Sequence, residues 1–224
     1  MRNLALMCVL AAVAGLSFGE GKTPVSTFTD KRDGKVYRIV KIGNQVWFAE
    51  NLNYAAEGSK CYGEDGKVNV AVDNYGNYIT TRLSAAEVEA NCAKYGRLYN
   101  WNTAMTACPA GTHLPSDKEW KTLINYVGGD STAGTKLMSS TGWESSNRVP
   151  VGTDDLGWSA LPGGFGGLED SFNSFNGAST SGWWWSATEV DAYGALGRSM
   201  FGHELVYRDS LYNKFLLSVR CVAD

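Results

Sequence analysis

The period of the hydrophobic and polar pattern changes along this chain, and each period predicts a kind of element. Residues 35–42 and 45–48 are rich in β-branched and aromatic residues and are separated by Gly43-Asn44, which is a hairpin pattern. A short apolar run within 61–80 lies between glycine-containing turns and predicts a second small hairpin. The first part of the folded chain is therefore predicted to be mainly strand.

Three helices are predicted next. Ser84 and Ser116 each precede a glutamate by three residues, which is the spacing of a capping box, and the first of these helices reaches about Lys94. Asn100 caps a helix between them, and Gly128-Gly129 ends the last one. The later two helices each carry one apolar face, formed by Trp101, Ala104, Met105 and Cys108 and by Trp120, Leu123, Ile124 and Val127. We expect both faces to be core.

The C-terminal part returns to strand. Between Trp183 and Ala187 the alternation places Trp184 on the face opposite to Trp183 and Trp185. The last strand also alternates, and its inward residues are Phe215, Leu217, Val219 and Cys221. At least one face of the tryptophan run is therefore core.

The N-terminus predicts export. Arg2 precedes an uncharged apolar run, and Ser17 and Gly19 are suited to cleavage after residue 19, so residues 1–19 are predicted to be a signal peptide. The run is too short to span a bilayer. Lipidation at Cys8 is the alternative, but Met7 stands where a small residue is expected. Residues 20–33 are predicted to be a flexible lead-in, and 34–224 a single domain.

Composition narrows the class of protein. The chain has 26 glycines among 224 residues and 12% aromatic residues, which indicates a loop-rich fold with rigid anchors. Its net charge of −3 and its lack of a basic cluster argue against nucleic acid and against anionic membranes as partners.

Four cysteines remain after the signal peptide, and an even number in an exported chain favours two disulfides. Four cysteines allow three pairings. The inward positions of Cys108 and Cys221 favour a bridge between them, which leaves Cys61–Cys92. Zinc is the alternative, but no C-x-x-C spacing or Cys/His pair is present.

With these features in view, the chain resembles the Fibrobacter succinogenes major paralogous domain, a family of exported bacterial proteins. The resemblance covers most of the mature chain, and its segments are GNQVWFAENLNY at 43–54, KYGRLYNWNTAM at 94–105, CPAGTHLPSDKEW at 108–120, DDLGWSALPGGF at 154–165, WWWSAT at 183–188 and SVRCV at 218–222. The stretch 62–91 is longer than usual between its flanking cysteines.

The family is similar, more distantly, to the C-type-lectin-like fold and to the formylglycine-generating-enzyme domain. This likeness implies an α+β fold with two main helices packed on small antiparallel sheets, long glycine-rich loops and a Cys108–Cys221 bridge between a helix and the last strand. The calcium-dependent sugar motifs of true C-type lectins are absent, as is the enzyme's cysteine pair near the C-terminus. Neither activity carries over.

Aromatic loops supply the candidate binding residues, because rigid aromatic rings stack on sugars at a low entropy cost. We predict ligand binding by Trp143, Trp158, Trp184, Tyr193, Asp154 and Asp155, with Trp143 the most exposed ring. The acidic pairs Glu64-Asp65, Asp154-Asp155 and Glu169-Asp170 raise calcium as an alternative to turn capping, but no EF-hand spacing supports a metal.

No catalytic constellation is found. The histidines are His113 and His203, and we expect His113 to make a structural hydrogen bond; no G-x-S-x-G elbow is present. We therefore expect no cofactor and no enzymatic activity. The favoured function is an exported recognition and adhesion domain that binds carbohydrate at the cell surface. The alternatives are a structural or protein-binding module of the cell envelope and a divergent enzyme of the formylglycine-generating type.

Overall fold

A computed structural model describes residues 26–144, 152–167 and 174–224, so the predicted signal peptide lies outside the described residues. Within these ranges the chain forms four helices, α1 Ala85–Tyr95, α2 Trp101–Ala107, α3 Asp117–Tyr126 and α4 Asp130–Leu137. The strands are β1 Ser26–Thr29, β2 Val36–Ile42, β3 Gln45–Phe48, β4 Lys67–Val72, β5 Tyr78–Thr81, β6 Leu98–Tyr99, β7 Thr112–His113, β8 Gly163–Gly166, β9 Ser174–Ala178, β10 Gly182–Asp191, β11 Gly194–Met200, β12 Tyr207–Tyr212, β13 Leu217–Ser218 and β14 Val222–Ala223.

Both predicted hairpins are present. β2 and β3 pair antiparallel across the Gly43-Asn44 turn, where Gly43 has a φ of 59° that glycine adopts without strain. β4 and β5 form the second hairpin. The prediction of a flexible lead-in over 20–33 needs correction, because β1 within it pairs with β2 and Phe28 packs on Phe48.

The predicted helix starts are confirmed. Ser84 and Ser116 form complete capping boxes, and Asn100 accepts a hydrogen bond from the Thr103 backbone N–H. The apolar face of α3 is buried as predicted. Met105 of α2 is exposed, contrary to the prediction, because α2 has only two turns and its buried positions are Ala104 and Ala107.

Helix α4 was not predicted from the sequence, which has a glycine in its middle and few apolar residues. Gly134 lets another segment pass close by. A Cβ at this position would lie 2.4 Å from the carbonyl oxygen of His203, and the Gly134 N–H donates to Glu204 O. A tertiary contact, invisible in the local pattern, therefore explains the glycine.

The strands form two sheets. One has five strands in the order β1-β2-β3-β14-β7, and the other has nine, with the path β12-β11-β10-β8-β9-β4-β5 and with β13 paired to β10 and β6. The predicted last strand is divided between them, since β13 belongs to the larger sheet and β14 to the smaller one. Residues 219–221 cross from one sheet to the other, and all three are buried.

Both predicted disulfides are present. Cys108–Cys221 joins the end of α2 to the crossing segment, with the two Cα atoms 5.8 Å apart. Cys61–Cys92 joins the loop before β4 to α1. Their sequence separations are 113 and 31 residues, so the first closes almost the whole second half of the chain.

The fold is mixed α+β with strands predominating. The expectation of two main helices on antiparallel sheets is too simple, because there are four helices in the described residues and β10 pairs in parallel with β8 and β13. No helix in these ranges is long and apolar enough to cross a membrane.

Candidate functional site

Two of the predicted ligand residues are core. Trp158 and Trp184 are 0% exposed and pack with Trp47 and Trp120, with ring centroids 5.1 to 6.5 Å apart. We name these four rings the tryptophan cluster. A ring with no exposed face cannot stack on a ligand, which corrects the prediction for Trp158 and Trp184.

Trp143 and the acidic loop also have structural partners. Trp143 is partly buried against the hydrophobic core that contains the tryptophan cluster, and its Nε1 donates to Ala160 O at 3.0 Å. Asp154 has a φ of 50° and its carboxylate accepts from the N–H and the Oγ–H of Ser159. Asp154 thus caps a turn, while Asp155 is exposed.

The acidic pairs do not gather into a metal site in the described ranges, where no three His, Cys, Asp or Glu side chains group suitably for a metal ion. Glu64 pairs with Arg97 instead. Glu169 and Asp170 lie outside the described residues. His113 bonds Glu119 and Asp224 through its two ring nitrogens, which agrees with the structural hydrogen bond expected of it.

Burial of the His113 ring disfavours its charged form, but the hydrogen bonds to Asp224 and Glu119 outweigh this effect and raise the pKa of His113. The pKa of Glu119 is lowered, because its bonds to Ser116 and His113 together outweigh desolvation. These groups tie the C-terminal residue and β7 to the start of α3. They are a structural contact of the scaffold.

Arg220 was missed by sequence reasoning and is fully buried. Its guanidinium lies 4.1 Å from the ring centroid of Trp158 and donates to the carbonyls of Phe48, Trp158 and Ser159, while its Nε donates to Asn51 Oδ1. Burial lowers the pKa of Arg220 to about 9. An arginine inside the apolar SVRCV segment was the available signal.

Asn51 completes this buried network. Its Oδ1 also accepts from Trp184 Nε1 at 2.9 Å, and its Nδ2 donates to Tyr95 O and Ser218 Oγ. Arg220 and Asn51 therefore join five of the sequence motifs, at 43–54, 94–105, 154–165, 183–188 and 218–222. These buried side chains of the motifs therefore hold the scaffold together.

Among the aromatic residues predicted to bind ligand, Tyr193 is the one that is open to solvent, with 73% of its surface exposed. It lines a cavity of about 470 Å³, which we name the cleft. Phe175 and Leu216 give the cleft an apolar part. Its polar and aromatic side chains include Lys60, Asn100, Asn102, Tyr193, Asn213 and Lys214. None of the other five predicted ligand residues lines it.

The backbone fixes Tyr193 at the rim of the cleft. It lies in the turn between β10 and β11, where its N–H donates to Asp191 Oδ1 and its carbonyl accepts from the Asn213 N–H. Amide and ammonium groups in the cleft can donate to hydroxyl oxygens, and amide oxygens can accept from hydroxyl groups. The cleft thus offers one exposed ring beside several hydrogen-bonding groups.

A series of contacting aromatic rings extends from His203 to Tyr212. We name it the aromatic row, and its members are His203, Tyr207, Phe201, Trp183, Phe165, Phe215 and Tyr212. Contacting centroids are 5.2 to 6.2 Å apart, and every ring is at least partly exposed. Tyr212 and Phe215 immediately flank the cleft residues Asn213 and Lys214.

The aromatic row could not be found from the sequence. Sheet pairing places Trp183 opposite Ser199 and Ser199 opposite Tyr207, so rings distant in the chain become neighbours. Local alternation identified the face of Trp183 but could not show which face remains open.

Comparisons with known proteins give a family and nothing more specific. No curated protein and no solved structure matches the chain. The model of the Fibrobacter succinogenes major domain family matches residues 40–223, which include both disulfides, the tryptophan cluster and the cleft. The chain therefore belongs to the Fibrobacter succinogenes major domain family.

Proposed function

We propose that this chain is an exported, non-enzymatic recognition domain that binds carbohydrate at the bacterial cell surface, through the cleft and the aromatic row. One observation carries the proposal: an exposed tyrosine and several amide and ammonium groups share a cavity that adjoins a line of partly exposed rings. Sugars present both apolar C–H faces and hydroxyl groups, so they require both kinds of contact.

The compartment and fold relationship are part of the proposal. Residues 1–19 have the pattern of a signal peptide, and two disulfides suit an oxidising exterior. A distant C-type-lectin-like relationship is supported by the bridge between α2 and the C-terminal segment. All four cysteines after the signal peptide are in disulfides, so none is available for the cysteine pair of a formylglycine-generating enzyme.

The test is retention on insoluble polysaccharides together with a glycan array, using wild type and Tyr193→Ala. We expect retention of the wild type and about tenfold weaker binding of the variant, because a stacked aromatic anchor contributes on the order of 1 kcal/mol or more. Tyr75→Ala is the matched control, since Tyr75 is 91% exposed and lies outside the cleft. Equal binding by both variants would contradict the use of the cleft.

One observation favours the second candidate, a protein-binding module of the cell envelope. The β4–β5 hairpin exposes large apolar side chains, which are Val70, Val72, Tyr75, Tyr78 and Ile79. Exposed apolar patches of this kind mark protein interfaces. A co-purified protein that Tyr78→Ser releases, with no effect of added sugar or of Tyr193→Ala, would favour this function over carbohydrate binding.

A further inference from the structure

The Cys61–Cys92 disulfide lies on the wall of an open cavity of about 690 Å³, next to α1. We name it the disulfide cavity. Both half-cystines line it, and each is largely buried, with 6% of Cys61 and 8% of Cys92 exposed. The charged residues around the cavity are Lys35, Glu64, Asp65, Arg82, Glu89 and Arg97.

Arg97 contacts both sulfur atoms. Its Nη1 lies 3.4 Å from Cys61 Sγ and 3.6 Å from Cys92 Sγ. The guanidinium is held in this position because its Nε donates to Ser59 Oγ and its Nη2 donates to Ser59 O and Glu64 Oε2. The same Glu64 oxygen also accepts from the Cys61 backbone N–H, so the carboxylate holds both the guanidinium and the half-cystine.

A fixed cation beside sulfur changes the chemistry of a disulfide. It stabilises a thiolate and so lowers the pKa of the thiol that forms when the disulfide opens. A thiol of lower pKa is also the better leaving group in thiol–disulfide exchange. The Arg97 guanidinium is therefore placed to assist departure of either sulfur, with Cys61 the nearer.

We infer that Cys61–Cys92 is a thiol-exchange site whose ligand is a small organic thiol bound in the disulfide cavity. The thiol first loses its proton to solvent, and its thiolate attacks Cys92 Sγ. The S–S bond between Cys92 and Cys61 breaks, its electron pair leaves on Cys61 as a thiolate beside Arg97, and a mixed disulfide forms on Cys92. Attack by Cys61 on the mixed disulfide reverses the step and releases the thiol.

The other disulfide provides an internal comparison. Cys221 is fully buried and Cys108 is partly exposed, and within the described ranges no side chain donates a hydrogen bond to either of their sulfur atoms. The two disulfides can therefore be compared with the same reagent. Cys61–Cys92 lies beside a cavity and a guanidinium group, and Cys108–Cys221 has no such cation at its sulfur atoms.

The first experiment needs no variant. The oxidised full chain is incubated with reduced glutathione, quenched with an alkylating reagent, and mapped by peptide mass spectrometry, which keeps any adduct on Cys8 apart. We expect glutathione on Cys92 and an alkylated Cys61, formed at least about tenfold faster than any opening of Cys108–Cys221. Equal rates at the two disulfides, or faster opening of Cys108–Cys221, would overturn the inference.

Two substitutions isolate the cation. Arg97→Gln should slow exchange at Cys61–Cys92 by roughly tenfold, because the leaving thiolate loses its nearest charge, and Arg97→Lys should restore most of the rate. Cys108–Cys221 serves as the reference within each variant. An unchanged rate in Arg97→Gln contradicts the assigned role of Arg97.

If Arg97→Gln does not fold, Cys92→Ser decides the question in its place. Cys61 is then a lone thiol beside Arg97, and the pH dependence of its reaction with iodoacetamide gives its pKa. We expect a pKa below the ordinary value of about 8.5 for cysteine. A pKa at or above that value overturns the inference.

Discussion

Trp183 and Trp184 are adjacent in the chain, yet they belong to two different regions. Trp184 is fully buried in the tryptophan cluster, and its Nε1 donates to Asn51. Trp183 is partly exposed in the aromatic row, where it packs on Phe165 and Phe201 and its Nε1 donates to Ser181 Oγ. The same residue type is a core group at Trp184 and, on the other face of β10, a core group at Trp185 and a partly exposed ring at Trp183.

The two regions differ in what covers them. The face of Trp184 meets Trp120 of α3, Trp158 of the segment between α4 and β8, and the Arg220–Asn51 network. On the other face, Trp185 is fully buried and donates to Tyr99 O, whereas the Trp183 ring meets Phe165 and Phe201, which are themselves partly open to solvent. Aromatic composition therefore does not locate a binding site. Whether another part of the chain packs over a ring decides whether that ring is exposed to solvent.

The largest expected effect separates the two tryptophans by stability. Trp184→Ala should lower the free energy of unfolding by about 4–5 kcal/mol, because it opens a cavity in the core and leaves Asn51 short of a donor. Trp183→Ala should cost about 1 kcal/mol, since its ring is already partly hydrated. Denaturant unfolding measures both. Equal losses of unfolding free energy in the two variants would show that the Trp183 ring is as well packed as the Trp184 ring.

Arg220 gives the next effect. Arg220→Met should destabilise the protein by about 3 kcal/mol, because the carbonyls of Phe48, Trp158 and Ser159 lose their buried donor. Arg38→Met is the matched control. Arg38 forms an exposed pair with Glu50, and its loss should cost no more than about 1 kcal/mol. If Arg220→Met leaves the free energy of unfolding unchanged, the buried network contributes no net stability beyond that of the tryptophan cluster.

The next prediction compares polysaccharide binding by a variant in the aromatic row with binding by a variant at a ring packed on the core. Phe201→Ala in the aromatic row should weaken polysaccharide retention by about fivefold to tenfold, because one partly exposed stacking ring is lost. Trp143→Ala serves as the comparison, since Trp143 is turned to Ala160 and the core and should leave retention by the folded fraction unchanged. A larger loss of retention in Trp143→Ala than in Phe201→Ala would indicate that the ligand binds near the acidic loop and not at the aromatic row.

The smallest expected effect depends on pH. A raised folded-state pKa means that His113 stabilises the protein fully below its unfolded value of 6.5 and loses this contribution as pH rises through the folded value. Glu119 has a lowered pKa, so its contribution is lost as pH falls below 4.5 through its folded value.

The contact is therefore strongest between about pH 4.5 and 6.5. His113→Gln should cost at most about 1 kcal/mol in that window, because the pair is partly exposed, and the cost should shrink at higher pH. Unfolding curves over a pH series measure it. His203→Gln is the control, as His203 contacts no carboxylate within the described residues, and an equal pH dependence in that variant would contradict the assignment to His113.

Sequence reasoning located the local elements well because their signals are local. The two capping boxes, the Gly43-Asn44 turn and the apolar face of α3 each depend on residues within one or two turns of chain. The disulfide pairing followed from the inward positions of Cys108 and Cys221. Helix α4 was missed, because its glycine is explained by a distant backbone segment.

The residues of the candidate site were predicted poorly, because their exposure depends on contacts with distant parts of the chain. Of the six predicted ligand residues, Tyr193 alone lines the cleft; Trp158 and Trp184 are core, Trp143 is tied to Ala160, and Asp154 caps a turn. Tryptophan is suited to cores and to binding surfaces alike, so its presence in a motif cannot separate the two.

The sequence by itself determined the family, the helix starts, the hairpins and which cysteines face inward. These are set by short-range periodicity, by capping chemistry and by the presence of motifs in a fixed order. The tertiary structure alone decided that Arg220 is a buried hub, that Trp158 and Trp184 are core, and that rings from five separate segments contact one another. Burial depends on what packs from elsewhere in the chain, and no local pattern records that.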